Sequence, residues 1–509
     1  MKPRSRTTQR SRMTLMAALL IVSMSLAACG GAPDNKPAAL VKEDNTPLPI
    51  SIALAQVGDI PNKDSEVEQL LEKYTNTQLD IQWIPGAAYD DKVNLMIASN
   101  EMPQLLKVQY TPNIIGAMES DLFWEVGPYL KDYKNLSAQS QQFFDNIQVN
   151  GKVYGIPIFS EIARAAIVFR KDWLDGLGLK VPKTIDDWYD VTKAMTLNDP
   201  DKNGKNDTYG IVLFKKYNEG QASLLTRFAV GLGGPNKWST VNGSFEPEFT
   251  SKEYNDVLKL FKRLYDEKLI NQDFAVFDST EAEKLFDSGR AGLKIAVAQT
   301  GKSQQDRLSK VDPKGVVDVE PLAGPKGIRV AGQTGNSGIY VIPKSTVKTE
   351  AEVKKLLKFL DNVMNPDATT LLQRGVEGKH YVKTADNKAE FKDLTAFQRE
   401  VKPYRDNLPY MEGYNSLLLK DIPIGEKGIA VAKENTKYSI PNPALTLNST
   451  TYSERGKELE QMIWDAQTKY IMGKLDDAGW QAEIEKWKKA GGSQMMDEYK
   501  ASYEKTRSR

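Results

Sequence analysis

The sequence predicts an α/β protein built from two lobes. Its 509 residues exceed the size at which a single hydrophobic core stops growing, so two lobes are the default expectation. Apolar residues alternate through residues 50–54 and through residues 79–83, as they do in strands, and residues 67–74 carry apolar groups at helical spacing. A strand, a helix and a strand in this order indicate a β-α-β unit.

The next elements extend this pattern. A helix is expected through "YDDKVNLMIASNEM", ending at Pro103, and "QLLKVQY" resumes as a strand. From Tyr452 to Tyr503 the sequence is mostly helical. One apolar face of this helical region consists of Leu459, Met462, Ile463, Ala466 and Tyr470.

The first 28 residues have the features of a secretory signal. Basic residues precede the apolar run "MTLMAALLIVSMSLAA", which is short for a membrane span and ends in small residues. Cys29 follows, and "LAACG" resembles a bacterial lipobox, in which the cysteine sulfur receives diacylglycerol. The alternative is an uncleaved signal anchor with an incidental cysteine. We expect residues 1–28 to be a lipoprotein signal peptide, Cys29 to be lipidated and residues 29–48 to be a flexible tether.

Charge and cysteine content exclude some classes of protein. The formal charge is +1, and removing residues 1–28 leaves 63 of the 68 basic groups against 67 acidic ones. A weakly acidic body without a basic stripe predicts no nucleic-acid partner. The only cysteine is assigned to lipid, so we expect the core and a metal ion, rather than disulfides, to stabilise the protein outside the cell.

The loop "LNDPDKNGKNDTYG", residues 197–210, concentrates acidic and amide oxygens. Counted from its first aspartate, these oxygens fall at positions 1, 3, 5, 7 and 9 of a calcium loop, with Gly204 at position 6. The candidate Ca²⁺ ligands are Asp199, Asp201, Asn203, the Lys205 carbonyl and Asp207. Position 12 is Gly210, where an EF-hand has a bidentate Glu, so another group must complete the site. The alternative is a solvated turn broken by Pro200 and Gly204.

Five segments of the chain occur together in one protein family. They are the acidic loop, "GKVYGIP" (151–157), "FRKDWLDGLGLKVPKTIDDWYDV" (169–191), "LFDSGRAGL" (285–293) and "GVEGKHY" (375–381). In their order along the chain they resemble family 1 extracellular solute-binding proteins, in particular the large lipoprotein branch of Gram-positive bacteria. Loops comparable to the acidic loop are structural calcium sites in relatives, which favours the ion over the bare turn.

The resemblance implies both a fold and a function. The fold is the periplasmic-binding-protein type 2 fold, in which two α/β lobes close on a ligand through a crossover hinge. The function is that of a monomeric receptor, lipid-anchored at the extracellular face of the cell membrane, which is not an enzyme. It binds an oligosaccharide and delivers it to the permease subunits of an ABC importer.

The same resemblance places the chain crossings between the lobes. They are expected near residues 161–166, near residues 316–321 and close to Gly375. Each lobe is therefore discontinuous. The expected division assigns residues 49–162 and 320–374 to lobe 1, and residues 163–319 and 375–509 to lobe 2.

A sugar site combines polar partners for hydroxyls with aromatic rings for C–H faces. Three kinds of position qualify: residues at a crossover, rings in Gly-rich irregular stretches, and polar residues in a Gly-rich loop between strands. In that order, the candidate ligand-binding residues are Glu161 and Arg164, Trp238 and Tyr414, and Asn336 and Ser337. Either aromatic ring is alternatively a buried core ring.

Other conspicuous residues are expected to be structural. Arg170 is interpreted as a partner of Asp172, with binding of an acidic sugar's carboxylate as the alternative. Trp173 and Trp188 lie at helical spacing and are expected to pack in the core. His380, the only histidine, lies within "GVEGKHY" and is assigned a structural role rather than catalysis.

Two functions of other classes stay open. A secreted carbohydrate-active enzyme needs two carboxylates flanking the bond to be cleaved, and no motif identifies such a pair. A peptide-binding receptor of the same architecture is the second alternative. Relatives often carry an acidic residue at the position of Gln104, so specificity has shifted here if that position faces the ligand.

Overall fold

The computed structural model describes residues 46–241 and 243–507. The expected signal peptide, the expected lipidation site Cys29 and most of the expected tether lie outside the described residues. The first strand begins at Leu48, one residue before the expected start of the folded part. In the described ranges, no helix combines the length and the apolar character that a membrane span requires.

Strands and helices alternate through most of the chain. The strands are β1 (Leu48–Gln56), β2 (Thr77–Pro85), β3 (Leu105–Val108), β4 (Gly155–Phe159), β5 (Ala165–Arg170), β6 (Tyr209–Ile211), β7 (Trp238–Val241), β8 (Ser244–Pro247), β9 (Ala291–Val297), β10 (Val317–Pro321), β11 (Ala323–Gly324), β12 (Gly327–Ile328), β13 (Val330–Ala331), β14 (Asn336–Val341), β15 (Tyr381–Lys383), β16 (Ala389–Phe391) and β17 (Ser439–Ile440).

The helices are more unequal in length than the strands. They are α1 (Glu66–Thr75), α2 (Tyr89–Ser99), α3 (Pro112–Glu119), α4 (Lys134–Ser137), α5 (Gln141–Asp145), α6 (Lys171–Gly176), α7 (Ile185–Leu197), α8 (Leu224–Gly231), α9 (Lys252–Asp266), α10 (Ser279–Asp287), α11 (Thr300–Leu308), α12 (Glu350–Val363), α13 (Pro366–Arg374), α14 (Leu394–Glu400), α15 (Lys402–Arg405), α16 (Pro423–Asn435), α17 (Thr450–Ile471), α18 (Asp477–Trp487) and α19 (Ser493–Arg507).

The first sheet has the strand order β2-β1-β3-β14-β4. β1 and β2 run parallel, with Leu48 opposite Thr77, and α1 connects them. The alternating side chains Ile50, Ile52 and Leu54 are buried, because they point to the covered face of the sheet. The β-α-β unit predicted from the sequence is confirmed.

Helix α2 ends earlier than the sequence suggests. Asn100 adopts the left-handed conformation at φ 59°, and its N–H bonds to the carbonyl of Ile97. Asn tolerates this conformation and commonly closes a helix in this way. The expectation that Pro103 ends the helix is wrong, whereas β3 follows as predicted.

The second sheet has the strand order β10-β5-β9-β6. β4 belongs to the first sheet and β5 to the second, so the chain crosses between Phe159 and Ala165. All residues of β5 are buried, which is typical of a central strand covered on both faces.

The return crossing lies later in the chain than expected. β10, expected at the crossing, is still part of the second sheet, and β13 packs against α8 and β5. The chain rejoins the first sheet only at β14, so residues 332–335 form the second crossing. It pairs with the first one, since Ser160 N–H donates to the Gly335 carbonyl and Gln333 N–H to the Ile162 carbonyl, both at 2.9 Å.

The third crossing also differs from the expectation of Gly375. The Tyr404 hydroxyl donates to Glu68 Oε2 at 2.8 Å, and Asn407 Nδ2 donates to the Ala55 carbonyl at 2.8 Å. Both acceptors lie in α1 and β1, on the side of the first sheet, whereas α16 packs against β10. The chain therefore changes sides between residues 419 and 423, and the expected assignment of residues 375–419 to the second lobe is corrected.

The C-terminal region is helical, as predicted. α17 packs against α9 and α18, and Trp480 Nε1 in α18 donates to Asn255 Oδ1 in α9 at 2.8 Å. The predicted apolar face is turned inward. Its buried members are Leu459, Ile463, Ala466 and Tyr470, with Met462 half-buried.

Candidate ligand cleft and calcium loop

A cavity of about 340 Å³ lies where the chain crosses between the sheets. A second cavity of about 190 Å³ adjoins it and shares part of its lining. The two cavities share Glu161, Gln299, Met411, Glu412 and Ile429. These residues come from the first crossing, the end of β9, the segment after α15 and helix α16. The cavities therefore lie at the crossings and are bordered by segments attached to each of the two sheets.

Glu161 and Gln299 face each other across the cleft. Gln299 Nε2 donates to Glu161 Oε1 at 3.3 Å, and Gln299 Oε1 is buried without a partner among the described residues. The ladder between β5 and β9 continues to this point, because Ala298 N–H donates to the Arg164 carbonyl at 2.8 Å. The pair offers a carboxylate and an unused amide oxygen as hydrogen-bond acceptors.

Two further carboxylates line the larger cavity, and each faces a cation. Glu412 forms an ion pair with Arg374, which is itself buried. Asp421 lies 3.7 Å from Lys302 Nζ. Ion-paired carboxylates serve as fixed hydrogen-bond acceptors, a role that suits recognition of hydroxyl groups.

Aromatic rings complete the lining. Tyr410 lines the larger cavity, and burial raises the pKa of its hydroxyl. Tyr414 lines the smaller one, and its hydroxyl donates to Asn135 Oδ1 at 3.1 Å. Sequence reasoning missed Gln299, Lys302 and Tyr410. The stretch "PYMEGYNS" was the available signal for Tyr410, because it also contains Tyr414.

The structure does not bring all the sequence-predicted ligand residues together. Glu161 and Tyr414 line the smaller cavity, whereas Trp238 lines another cavity of about 280 Å³ among the C-terminal helices. There Trp238 packs edge-on against Tyr499 with ring centroids 5.0 Å apart. No sequence pattern indicates this contact, since the two rings are distant along the chain.

Asn336 and Ser337 begin β14, with Asn336 opposite Phe159 of β4. Asn336 Nδ2 donates to the Thr334 carbonyl at 3.3 Å, and Gln109 Nε2 donates to the Ser337 carbonyl at 3.4 Å. Neither residue lines the two cavities around Glu161. Both residues were expected in a Gly-rich loop between strands; they begin β14 instead, next to the second crossing, and are not part of the cleft lining.

Arg170 is a structural residue, as interpreted from the sequence. It is buried, forms ion pairs with Asp172 and with Asp312 at 2.8 Å, and its guanidinium lies 4.6 Å from the ring centroid of Trp173. Trp173 and Trp188 are fully enclosed in the core. The predicted packing roles of these rings are confirmed.

His380 is buried and bound to the main chain. Val376 N–H donates to His380 Nδ1 at 2.8 Å, and His380 Nε2 lies 3.3 Å from Glu400 Oε2. Burial lowers the pKa of the imidazole. Gly375, at φ 86°, approaches the ring so closely that a side chain there would collide with it. The predicted structural role fits these contacts.

Gln104 precedes β3 and exchanges hydrogen bonds with Ser51. Ser51 N–H donates to Gln104 Oε1 at 2.9 Å, and Gln104 N–H donates to Ser51 Oγ at 3.0 Å. The cleft residues Glu161 and Gln299 come after the ends of β4 and β9, whereas Gln104 comes before the start of β3. Gln104 thus joins two strands of the first sheet and does not line the cavities around Glu161.

The acidic loop curls around its own amide groups. Asp199 accepts the N–H groups of Asn203 and Gly204, both at 3.0 Å. Asn203 Nδ2 donates to Asp201 Oδ2 at 2.8 Å and to Asp207 Oδ1 at 3.1 Å. Gly204, at φ 75°, permits the tight turn. The three carboxylates and the amide thus surround the same small region.

The charges in this loop are crowded. The pKa of the Asp201 carboxyl is raised, first by burial and then by its hydrogen bond with Asp199. Lys205 N–H donates to Asn203 Oδ1 at 2.7 Å, and Arg290 donates to the Asp207 carbonyl at 2.9 Å. Crowded carboxylates with an amide oxygen form a donor set that suits Ca²⁺. Within the described ranges, no group of three His, Cys, Asp or Glu residues is arranged to hold a metal ion.

Comparisons with known proteins agree with the two-sheet architecture. The sequence model of the bacterial extracellular solute-binding proteins matches residues 58–368. Lipoprotein LipO of Bacillus subtilis is 36% identical over 499 residues, covering 96% of this chain and 98% of LipO. The polygalacturonan/rhamnogalacturonan-binding protein YtcQ of the same organism is 34% identical over 504 residues, covering 97% of this chain and 99% of YtcQ.

Solved structures show the same fold. The substrate-binding protein FusA of Streptococcus pneumoniae, an EF-hand mutant in complex with fructo-nystose, matches with a TM-score of 0.57 and 18% identity, covering 90% of this chain and 99% of that chain. The protein therefore has a periplasmic-binding-protein type 2 fold, with two α/β lobes and crossing segments between them. With a family match over residues 58–368 and two relatives similar over nearly their full length, the chain belongs to the bacterial extracellular solute-binding proteins.

Proposed function

We propose that the protein is a lipid-anchored receptor that captures an oligosaccharide in the cleft of Glu161 and Gln299 and delivers it to an ABC importer. The observation that carries this proposal is the position and lining of the paired cavities, which lie at the crossings and are lined by segments attached to each of the two sheets. The names of YtcQ and FusA, which mention polygalacturonan and rhamnogalacturonan in one case and fructo-nystose in the other, support a saccharide ligand.

The lining of the cavities suits a sugar. Hydroxyl groups need fixed acceptors and donors, which Glu161, Gln299 and Lys302 offer. The C–H faces of a pyranose ring need flat apolar partners, which the rings of Tyr410 and Tyr414 offer. A peptide would instead need unpaired main-chain partners along the cleft.

The receptor function involves no bond cleavage. Two of the cavity carboxylates, those of Glu412 and Asp421, face cations, which suits hydrogen bonding rather than proton transfer. A glycosidase needs one carboxyl group that stays protonated and a second that attacks or activates water. The relatives are solute-binding proteins, which supports the same role here.

The membrane attachment is assigned to Cys29. The sequence "LAACG" after a short apolar run supports lipidation of this cysteine, and the name of LipO supports a lipoprotein. Two acyl chains on one residue suffice for stable anchoring, whereas a single chain is marginal. Anchored at the extracellular face, the monomer would hold its ligand near the permease subunits.

The acidic loop is assigned to a structural Ca²⁺ ion. Asp199, Asp201, Asn203, Asp207 and the Lys205 carbonyl would hold it, with a water or another carboxylate in place of the missing Glu. The crowding of Asp201 with Asp199 and Asp207 supports this role, because a cation would offset the repulsion. FusA, which has a similar fold, is described with an EF-hand.

Calorimetric titration and thermal unfolding test the ligand class. A panel of neutral and acidic oligosaccharides is compared with peptides of similar size. We expect a saccharide to bind and to raise the melting temperature, because it binds only the folded state. Glu161→Gln is expected to weaken binding about tenfold or more, since it removes a charged acceptor. Glu281→Gln, on exposed α10, is the matched control.

Three results would contradict the proposed function. Binding of a peptide, without binding of any saccharide, would favour a peptide receptor. Release of a shortened sugar during the titration would favour the enzyme. An unchanged affinity in Glu161→Gln, with saccharide still bound, would move the site away from this cleft.

A further inference from the structure

The cavity of about 280 Å³ among the C-terminal helices has no part in the proposed function. It shares no lining residue with the two cavities around Glu161. Its walls come from α9, α17, α18, α19, the hairpin of β7 and β8, and the loops at residues 218–221 and 442–447. Gly220 and Gln221 in its lining are exposed, so the cavity reaches the surface there. It is therefore a separate pocket within the second lobe.

One face of α17 forms a wall of this pocket. Four residues that line it follow each other at four-residue spacing: Tyr452, Gly456, Glu460 and Trp464. A side chain at Gly456 would collide with the ring of Tyr452, because its Cβ would lie 2.7 Å from that ring. The glycine thus lets the Tyr452 ring lie along the helix, where its hydroxyl donates to Glu460 Oε1 at 3.1 Å. This wall therefore carries a carboxylate and two aromatic rings side by side.

Further aromatic rings of the pocket pack against one another. The ring centroid of Tyr499 in α19 lies 6.5 Å from that of Tyr452 and 5.0 Å from that of Trp238. Phe249 and Trp487 also line the pocket, with ring centroids 5.0 Å apart in a T-shaped arrangement. Edge-to-face contacts of this kind are favourable and fix the orientation of the rings. The aromatic walls are thus held in place by the fold itself.

The charges that line the pocket do not balance. Glu248 is paired with Lys237 at 3.2 Å and accepts the Thr226 hydroxyl at 2.8 Å, so its charge is offset within the fold. The Glu460 carboxylate forms no ion pair in the described part of the chain, and the Tyr452 hydroxyl is its one hydrogen-bond partner there. One of the two carboxylates that line the pocket is therefore left without a cation.

The Tyr499 hydroxyl is a second group without a partner. Tyr499 is 5% exposed, and its hydroxyl forms no hydrogen bond within the described ranges. Its oxygen is not sealed from solvent, unlike the unpartnered indole nitrogens of Trp173 and Trp188. Since the side chain lines the pocket and is otherwise enclosed, the hydroxyl opens into the pocket. Burial raises the pKa of this hydroxyl, and its neighbours Tyr452 and Glu460 raise it further, as expected in a negative field.

We propose that this pocket is a second binding site, separate from the ligand cleft, for a small organic cation with a methylated ammonium group. The faces of Trp and Tyr rings attract a cation placed over them, and the unpaired carboxylate of Glu460 adds to this attraction. A methylated ammonium is weakly hydrated and loses little on entering, whereas a bare ammonium is strongly hydrated. A cavity of about 150 Å³ holds benzene, so this pocket has room for a cation with several methyl groups.

The test compares three related probes. Choline carries a quaternary ammonium, 3,3-dimethylbutan-1-ol has the same shape without the charge, and ethanolamine has the charge without the methyl groups. Calorimetric titration and thermal unfolding measure the binding of each probe. We expect choline to bind at least about tenfold more tightly than either of the others, because it alone combines a charge with a weakly hydrated surface.

Variants of α17 locate the binding. Glu460→Gln and Trp464→Leu should each lose the preference for choline over the neutral probe, and Trp464→Phe should retain part of it. Glu458→Gln removes an exposed carboxylate paired with Arg455 on the same helix, and this matched control should bind choline as the wild type does. Without a probe, Glu460→Gln should melt close to the wild type, because glutamine keeps an acceptor for Tyr452. Its loss of affinity would then report recognition rather than folding.

Several outcomes would overturn the inference. Equal affinity for choline and for the neutral probe would make the pocket an apolar cavity in which the charge has no role. An unchanged preference in Glu460→Gln and Trp464→Leu would place the cation elsewhere, and loss of choline binding in Glu161→Gln would place it in the ligand cleft. The absence of binding at millimolar choline would leave the pocket to solvent. Saccharide binding in the cleft is measured separately, so neither result decides the other.

Discussion

Lys107 Nζ donates to Asn407 Oδ1 at 3.1 Å, and both residues are buried. The same ammonium donates to the Asp406 carbonyl at 3.2 Å. Burial lowers the pKa of Lys107, while the charge of Asp406 opposes that shift. The segment after α15 is therefore held to the first sheet by amide and carbonyl oxygens around one buried charge.

Replacing Asn407 by Ala should destabilise the protein by about 1–3 kcal/mol, because the buried ammonium loses an acceptor. Urea unfolding measures the change. A double-mutant cycle with Lys107→Met provides the control, since the loss of Asn407 should cost less where no ammonium is present. An equal cost in both backgrounds would mean that the two side chains are not coupled.

Replacing Cys29 by Ser should leave a folded protein that no longer carries lipid. Metabolic labelling with a radioactive fatty acid is the decisive measurement, because an uncleaved precursor could still be retained by its apolar run. Wild-type protein serves as the positive control. Equal labelling of the variant and the wild type would contradict the lipobox interpretation.

Calcium should stabilise the folded protein. At a free concentration of about 100 times the dissociation constant, the expected gain in the free energy of unfolding is roughly 2.7 kcal/mol. Asp201→Ala should remove most of this gain, and Mg²⁺ should substitute poorly, because it prefers a tighter octahedral site. Calorimetry on chelator-stripped protein, with melting curves, measures both effects.

Two results would leave only a solvated turn at this loop. One is the absence of binding heat and of bound metal by elemental analysis. The other is a melting curve that is the same with Ca²⁺ and with chelator. In that case Pro200 and Gly204 would suffice to explain the turn.

Stability should fall as the pH drops below about 6.5, the ordinary pKa of histidine. Because burial lowers the folded-state pKa of His380, the unfolded state binds the proton more readily. The stabilising contribution is thus complete above the unfolded pKa and is lost as the pH falls toward the folded pKa. The slope can reach about 1.4 kcal/mol per pH unit.

His380 is the only histidine, so one substitution isolates this effect. His380→Asn should flatten the dependence between pH 7 and pH 5, measured by urea unfolding. Glu400, which faces the ring, does not titrate there. Although burial opposes it, hydrogen bonds from Lys379 and Arg399 lower the pKa of Glu400 to about 2. An unchanged slope in the variant would assign the dependence to other groups.

Tyr414 and Trp238 should respond differently to truncation. Tyr414→Ala should weaken saccharide binding more than it lowers the melting temperature, because the ring lines the proposed cleft. Trp238→Ala should lower the melting temperature, because the ring packs against Tyr499. Titration and melting of both variants compare the two effects. Normal binding by Tyr414→Ala would remove its ring from the ligand contacts.

Local patterns predicted the local elements of this fold well. The alternation of Ile50, Ile52 and Leu54 specified β1, and the spacing along α17 specified its buried face. The third crossing lies later than expected, because Asn407 and Ala55 meet although they lie far apart in sequence. Apolar periodicity reports which face of a strand is covered, not which sheet the strand joins.

The cleft was predictable only in part, for the same reason. Glu161 was predicted to bind the ligand from its place at the first crossing, and it lines both cavities. Gln299 follows an ordinary strand, and nothing in its neighbours marks it as facing Glu161. The acidic loop was visible at once, because all its expected ligands lie within nine consecutive residues of sequence, from Asp199 to Asp207.

The first two crossings are hydrogen-bonded to each other, with Ser160 joined to Gly335 and Gln333 to Ile162. The third crossing, at Asp421, borders the same cavity as Ser160. Two lobes joined by adjacent crossings can move relative to each other in few ways, because sliding or twisting would stretch one crossing more than another. The remaining motion is a bend about an axis that passes across the crossing segments. Opening of the cleft would thus follow one direction, set by where the chain crosses.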